Sequence, residues 1–145
     1  MTLHYFDPSA WVKRHFQEPG SDVVNALFRA DVEAACCRLG LVEMIATIVR
    51  KGHGESLDPS VVDTLVGNTG ADFEAFRVIP VDEPCIVEAT HLLMRHRLRT
   101  MDAIHLAAAL SLRAFGETVM VSADAELLAA SVSEGLAILN PAPPR

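Results

Sequence analysis

The chain is 145 residues long, half of them hydrophobic, with a formal net charge of −7. That length suits one domain around one core and leaves no room for a second. No apolar run approaches the ~18 residues of a membrane span and no charged n-region leads into an apolar h-region, so a cytosolic protein is expected.

In chain order, the apolar stretch 3–6 reads as a strand that stops at Asp7 and turns through Pro8 and Ser9 into a helix over 9–16. Gly20, Ser21 and Asp22 open a helix over 20–30, and 32–36 reads as the second strand. A helix over 39–51 follows, in which Glu43 is the only charge between Leu39 and Val49. Asp58, Pro59 and Ser60 start a helix over 59–76, with a break expected at Gly67-Asn68-Thr69-Gly70. A strand over 77–81, helices over 84–97 and 101–115, a strand over 118–121, a helix over 124–133 and a strand over 136–139 complete the pattern. Gly52, Gly116 and Gly135 stand where helices stop. Helices between short β-branched runs favour crossover connections and a parallel sheet covered on both faces. Residues 1–140 thus form a single domain, and the proline-rich 141–145 reads as a tail.

Cys36 and Cys37 are adjacent, Cys85 is alone, and without a CxxC pair all three read as reduced core residues. The histidines show no zinc-helix spacing, since His91 and His96 are five apart. His105 lies one turn beyond Asp102 on the same helix face, where it either orients that carboxylate or serves helix packing.

Four acids draw attention. Asp7 and Asp124 each follow a strand; if the strands are parallel neighbours, both carboxylates point into the crevice beyond the strand ends, where open α/β sheets bind ligands. Glu43 and Asp102 stand on helices that are otherwise apolar, where each is either a solvent-facing or dipole-stabilised acid or a group facing a polar cavity. If the four converge, each pair ~5 Å apart repels by roughly 3 kcal/mol at an effective dielectric near 20, and a cation or proton uptake makes the cluster tolerable. Oxygen ligands favour Mg²⁺ or Mn²⁺ over zinc, and the implied reaction is metal-assisted phosphodiester hydrolysis. The overall negative charge argues against a nucleic-acid ligand, but the four acids carry more than half of that excess, and Arg95, Arg97 and Arg99 precede Asp102. Those arginines are either weak substrate-binding candidates or an ordinary solvated helix end.

At these residues the chain resembles the PIN-domain nucleases, and within them the VapC-like toxins of type II toxin–antitoxin pairs. The resemblance lies in Tyr5-Phe6-Asp7-Pro8-Ser9-Ala10, in Leu39 to Met44, in Thr100-Met101-Asp102-Ala103-Ile104-His105-Leu106-Ala107-Ala108-Ala109, in Val121 to Leu128, and in Gly135 to Pro141. It implies a three-layer α/β/α sandwich on a short parallel sheet, Mg²⁺- or Mn²⁺-dependent endoribonuclease activity on RNA, and inhibition by a cognate VapB-like antitoxin, with a homodimer and a larger toxin–antitoxin complex. By the same resemblance Asp7, Glu43, Asp102 and Asp124 are the catalytic, metal-binding quartet, Ser122 a supporting hydroxyl, and Ser9 a weaker one. The double cysteine departs from the family pattern, with an effect expected on packing. The apolar residues Trp11, Val12, Phe16, Val23, Val24, Leu27 and Phe28 read either as a groove for the antitoxin or as core. An aspartyl-phosphate phosphatase also begins with a strand-end aspartate but needs an acid where Ser9 stands. A noncatalytic nucleic-acid or protein-binding module on the same fold is the remaining alternative.

Overall fold

Strands and helices alternate along the chain in a computed structural model that describes residues 1–143. The strands are β1 (Thr2–Phe6), β2 (Glu33–Cys37), β3 (Arg77–Ile79), β4 (Glu117–Val121) and β5 (Ala137–Leu139). They form one sheet in the order β3-β2-β1-β4-β5, each neighbouring pair parallel. The helices are α1 (Pro8–Trp11) with a 3₁₀ turn at Val12–Arg14, α2 (Ser21–Arg29), α3 (Arg38–Gly54) and α4 (Pro59–Ala75). After β3 come α5 (Glu83–Arg95), α6 (Thr100–Ser111) with a 3₁₀ turn at Leu112–Ala114, and α7 (Ala125–Ser133).

The sheet grows from β1 out to β2 and β3, then resumes at β4 on the other side of β1. Because parallel crossovers are right-handed, this reversal puts α1–α4 on one face and α5–α7 on the other. The contacts agree: α3 packs on α4 and α1, while α6 packs on α5 and α7. The result is the expected three-layer α/β/α sandwich.

Alternation along β1 divides its side chains between the layers. Tyr5 meets His105 of α6, with ring centroids 5.8 Å apart. Phe6 meets Phe28 of α2 at 5.1 Å and Phe76 beyond α4 at 6.1 Å. Trp11 completes that aromatic cluster against Phe73 and Phe76. Its Nε1 donates to Asp72, which also accepts from Arg14 and His15. Of the early apolar residues, Trp11, Val12 and Val24 belong to the core, whereas Phe16, Leu27 and Phe28 are only partly buried against it and Val23 stays 41% exposed.

Several boundaries differ from expectation. No break occurs at Gly67–Gly70, because α4 runs through it. Thr69 and Phe73 continue the helix's buried face, the Thr69 hydroxyl donates to the Leu65 carbonyl at 2.9 Å, and a Cβ at Gly67 or Gly70 would meet open space. Burial on one face thus outweighs a helix cost of about 1 kcal/mol per glycine. Gly52 does not stop α3; it lies inside it, where a Cβ would come within 2.7 Å of Val62 Cγ2, so its role is close approach to α4. The first helix is shorter than the expected 9–16 and tightens into its 3₁₀ turn, and β3 ends before Pro80, which has no N–H for a ladder. The tail reading includes Pro144 and Arg145, which lie outside the described residues. Among the described residues no helix is long and apolar enough to cross a membrane.

Candidate active site

The connections from β1 and β4 leave in opposite directions, which opens a crevice at the carboxyl ends of these two strands. Asp7 follows β1 directly, its N–H bonded to the Val121 carbonyl at 3.0 Å. It occupies the N-cap position of α1, with Pro8 in the first turn, yet its side chain makes no capping bond and is left to the crevice. Asp7 Oδ2 accepts hydrogen bonds from Ser9 Oγ at 2.5 Å and Ser122 Oγ at 3.0 Å. Each hydroxyl in turn accepts a backbone N–H, Ser9 from Ala123 and Ser122 from Asp124, both at 3.0 Å. A hydroxyl has one proton to give, so both serines spend theirs on Asp7.

Asp124 caps α7, its Oδ1 accepting from the Leu127 N–H at 2.9 Å, and that bond fixes the carboxylate beside β4. Asp102 stands in the first turn of α6 and has no side-chain hydrogen bond among the described residues. Glu43 reaches in from α3, with Oε1 2.5 Å from His105 Nε2. His105 Nε2 is also 3.9 Å from Asp7 Oδ1.

The electrostatics link these groups to one another. Burial pushes the Asp7 carboxyl up, offset in part by His105, Ser9 and Ser122, while the charge of Glu43 raises it further. Burial together with the charges of Asp124 and Asp7 raises the Asp102 pKa to about 6, against the pull of His105 and Arg99. Burial disfavours a charged ring at His105, but Cys37, Glu43 and Asp7 outweigh it and raise its pKa to about 10. Asp7, Ser9 and Ser122 are joined by hydrogen bonds, Glu43 is linked to Asp7 through His105, and the charges of Asp124 and Asp7 bear on Asp102. Among the described residues, however, no three of the four acids bring their oxygens within 4.8 Å of one another.

His105 is fully buried against Tyr5, as the packing reading expects, but it makes no bond to Asp102. It shares a helix face with Asp102, but its ring bonds Glu43 on another helix. The double cysteine is buried as expected, yet it does more than pack: the Cys37 N–H donates to Tyr5 Oη at 3.0 Å, and Cys37 Sγ lies 3.6 Å from His105 Nδ1. Tyr5 is the residue that sequence reasoning passed over. Strand alternation could have found it, two places before Asp7 and so directed toward the same layer. The candidate ligand atoms of Cys36, Cys37 and His105 lie within 4.8 Å of one another, but their chemistry is that of a soft-metal site, distinct from the carboxylate cluster.

The three arginines separate. Arg95 is tied to Glu134 at 3.2 Å and Glu88 at 3.6 Å. Arg97 lines a cavity of about 370 Å³ with His96 and Glu126. Arg99, at the N-cap position of α6, is the one whose charge reaches Asp102. A larger cavity of about 480 Å³, bounded by Ile79, Cys85, Ala107 and Leu110, is lined by none of the four acids.

The family model described as "PIN domain" matches residues 4–132. The chain belongs to the PIN-domain family. This PIN-domain chain is 35% identical over 125 residues to Ribonuclease VapC45 of Mycobacterium tuberculosis, a match spanning 83% of this chain and 84% of that protein. Its fold is shared with Mycobacterium tuberculosis VapC20, a sarcin–ricin-loop-cleaving toxin, at a TM-score of 0.66 and 15% identity over 88% of this chain and 94% of that one. A toxin–antitoxin complex from Klebsiella pneumoniae contains a similar chain, with a TM-score of 0.66 and 14% identity, covering 95% of this chain and 97% of that one. Membership in the PIN-domain family bears out the family resemblance of the sequence, and with it a divalent-metal chemistry of the general kind these nucleases use.

Proposed function

We propose that this PIN-domain chain is a metal-dependent endoribonuclease and the toxin of a toxin–antitoxin pair. The observation that supports the reading is the placing of Asp7 and Asp124 after the two strands where the strand order reverses, with Glu43 linked to Asp7 through His105 and Asp102 raised to about 6 by burial and the charges of Asp124 and Asp7. The donor set fits a hard cation, since carboxylate oxygens suit Mg²⁺ or Mn²⁺. Asp7, Asp102, Asp124 and Glu43 are the residues that would hold it. Such an ion supplies charge stabilisation on phosphodiester oxygens and a better water nucleophile.

The remaining work belongs to the protein's own groups. Ser9 and Ser122 orient Asp7 through one oxygen and leave the other facing the crevice, and the α7 cap orients Asp124. Asp102, without a hydrogen-bond partner among the described residues, is the freest of the four to meet ligand. Arg99, and beyond it Arg97, offer positive charge to the RNA backbone beside an otherwise anionic crevice. RNA as substrate follows from the ribonuclease relative at 35% identity. A VapB-like antitoxin as partner follows from the similar chain in the toxin–antitoxin complex, and a basic segment is the chemistry that suits this crevice. A homodimer within a larger toxin–antitoxin assembly, acting in the cytoplasm, accords with that family and with three free cysteines.

The test is cleavage of a labelled structured RNA by the purified chain with Mn²⁺, beside an EDTA control and the Asp102→Asn protein. Metal-dependent cuts that the variant fails to make support the reading. Equal cleavage by the variant refutes the site, and binding without turnover would make the chain a noncatalytic module.

A further inference from the structure

The acids of the crevice are held unequally. Asp7 has two serine donors and Asp124 has a helix cap, whereas Glu43 stands on α3 with its side chain 32% exposed and has His105 as its bonded partner. A long side chain at the rim of an anionic crevice is repelled by its neighbours and loses rotamer freedom when it is fixed. Something must hold it inward. His105 is placed to do so, and it is itself held.

The arrangement runs through four elements. At the end of β2, the Cys37 N–H donates to Tyr5 Oη on β1 at 3.0 Å. Tyr5 Oη lies 2.7 Å from His105 Nδ1 on α6, and His105 Nε2 lies 2.5 Å from Glu43 Oε1 on α3. Tyr5 and His105 are both fully buried. Helix packing alone would not place an imidazole here, because a buried ring with unpaired nitrogens costs free energy that an aliphatic side chain of similar size avoids. Both nitrogens are instead bonded, one to the strand and one to the acid. Two further features keep the ring in place. Cys37 Sγ lies 3.6 Å from Nδ1, and Gly40 on α3 leaves room for Cys36 Sγ, which a Cβ there would overlap, with His105 Cε1 3.8 Å away.

We propose that Tyr5 and His105 are positioning residues that hold Glu43 in the acidic crevice, so that its carboxylate is set in place before a divalent cation arrives. The proposal rests on the reading of Glu43 as a metal-holding residue. It assigns the double cysteine a place in the same device: the backbone of Cys37 anchors Tyr5, and the two sulfurs wall in the ring. Partners that orient metal-holding groups usually contribute 10–100-fold in metal affinity or activity.

The test compares wild type, His105→Leu, His105→Gln and Tyr5→Phe for Mn²⁺ affinity by electron paramagnetic resonance, with circular dichroism confirming the fold. His105→Leu should weaken Mn²⁺ binding by about 10-fold or more. His105→Gln, which restores an N–H donor, should recover most of that loss, and Tyr5→Phe should fall between. Should His105→Leu fail to fold, Tyr5→Phe, which removes a single oxygen, still decides the matter. In metal-free wild type, ¹⁵N-histidine NMR should show a His105 Nε2–H proton protected from exchange, with a shift that moves in Glu43→Gln. Unchanged Mn²⁺ affinity in all three variants overturns the proposal, as does a rapidly exchanging Nε2–H. If even wild type binds no Mn²⁺, the metal reading of the crevice fails, and the imidazole signal alone then decides whether Glu43 is held.

Discussion

β1 separates two regions built on opposite principles. On the α1–α4 side Phe6 enters a cluster with Trp11, Phe28, Phe73 and Phe76, and the nearby Asp72 is satisfied by Trp11, Arg14 and His15, so that its carboxyl lies below its ordinary value. At the carboxyl edge of the sheet, Asp7 and Asp102 are buried near other carboxylates, Glu43 acting on the first and Asp124 on the second, and both are raised above theirs. Asp72 is surrounded by donors and is structural; Asp7 and Asp102 are raised chiefly by burial and further by neighbouring carboxylates, a cost that a bound cation would relieve. The sign of the pKa shift, more than burial itself, distinguishes the two kinds of acid.

This contrast predicts effects of opposite sign. The largest belongs to the aromatic side: Trp11→Ala should destabilise the fold by about 3–5 kcal/mol in denaturant melts, since it empties the centre of that cluster. At the junction of the two regions, Gly40→Ala forces a Cβ onto Cys36 Sγ and should cost about 1–3 kcal/mol while also disturbing the ring of His105. A tolerated alanine would show that the sulfur has room to move. On the acidic side the sign reverses. The Asp102 pKa is raised from its ordinary 3.8 to about 6, so the unfolded chain gives up that proton first. In metal-free protein, the stability linked to this group is fully present below the ordinary value and is lost as pH rises through about 6. Asp102→Asn should therefore raise stability by about 1 kcal/mol near neutral pH, discounted for a half-exposed group, with no gain near pH 4. Thermal melts at the two pH values check it, and a gain at both would mean that charge is not the cause. The smallest effect serves as a control for α4: Gly70→Ala on its open face should stabilise by roughly 0.5–1 kcal/mol, whereas a helix broken there would show none.

The sandwich was legible in the sequence because strand runs and helical runs alternate, and the crevice because Asp7 and Asp124 sit where strands end. Gly67 to Gly70 misled because local helix cost is visible in a sequence while the buried stripe through Thr69 and Phe73 is a tertiary matter. Gly52 misled for the same reason, its neighbour Val62 lying on the next helix. The pairing of His105 with Glu43 was beyond reach, since the two residues are separated by 62 positions and meet only when α3 and α6, on opposite faces of the sheet, both reach its carboxyl edge. Asp102, one turn away on the same helix, was the neighbour that sequence could see. Tyr5 was hidden in plain view as an apolar strand residue, its hydroxyl acquiring a partner 100 positions on.

The central claim is that the four acids form one cation site whose repulsion the ion relieves. The most direct measurement is the melting temperature of wild type and Asp102→Asn near neutral pH, each with EDTA and with millimolar Mn²⁺. The account predicts that Mn²⁺ raises the wild-type melting temperature, because it binds only the folded state, and that the variant starts higher in EDTA but gains little from the ion. Equal shifts in both proteins, or no shift in wild type, would contradict it.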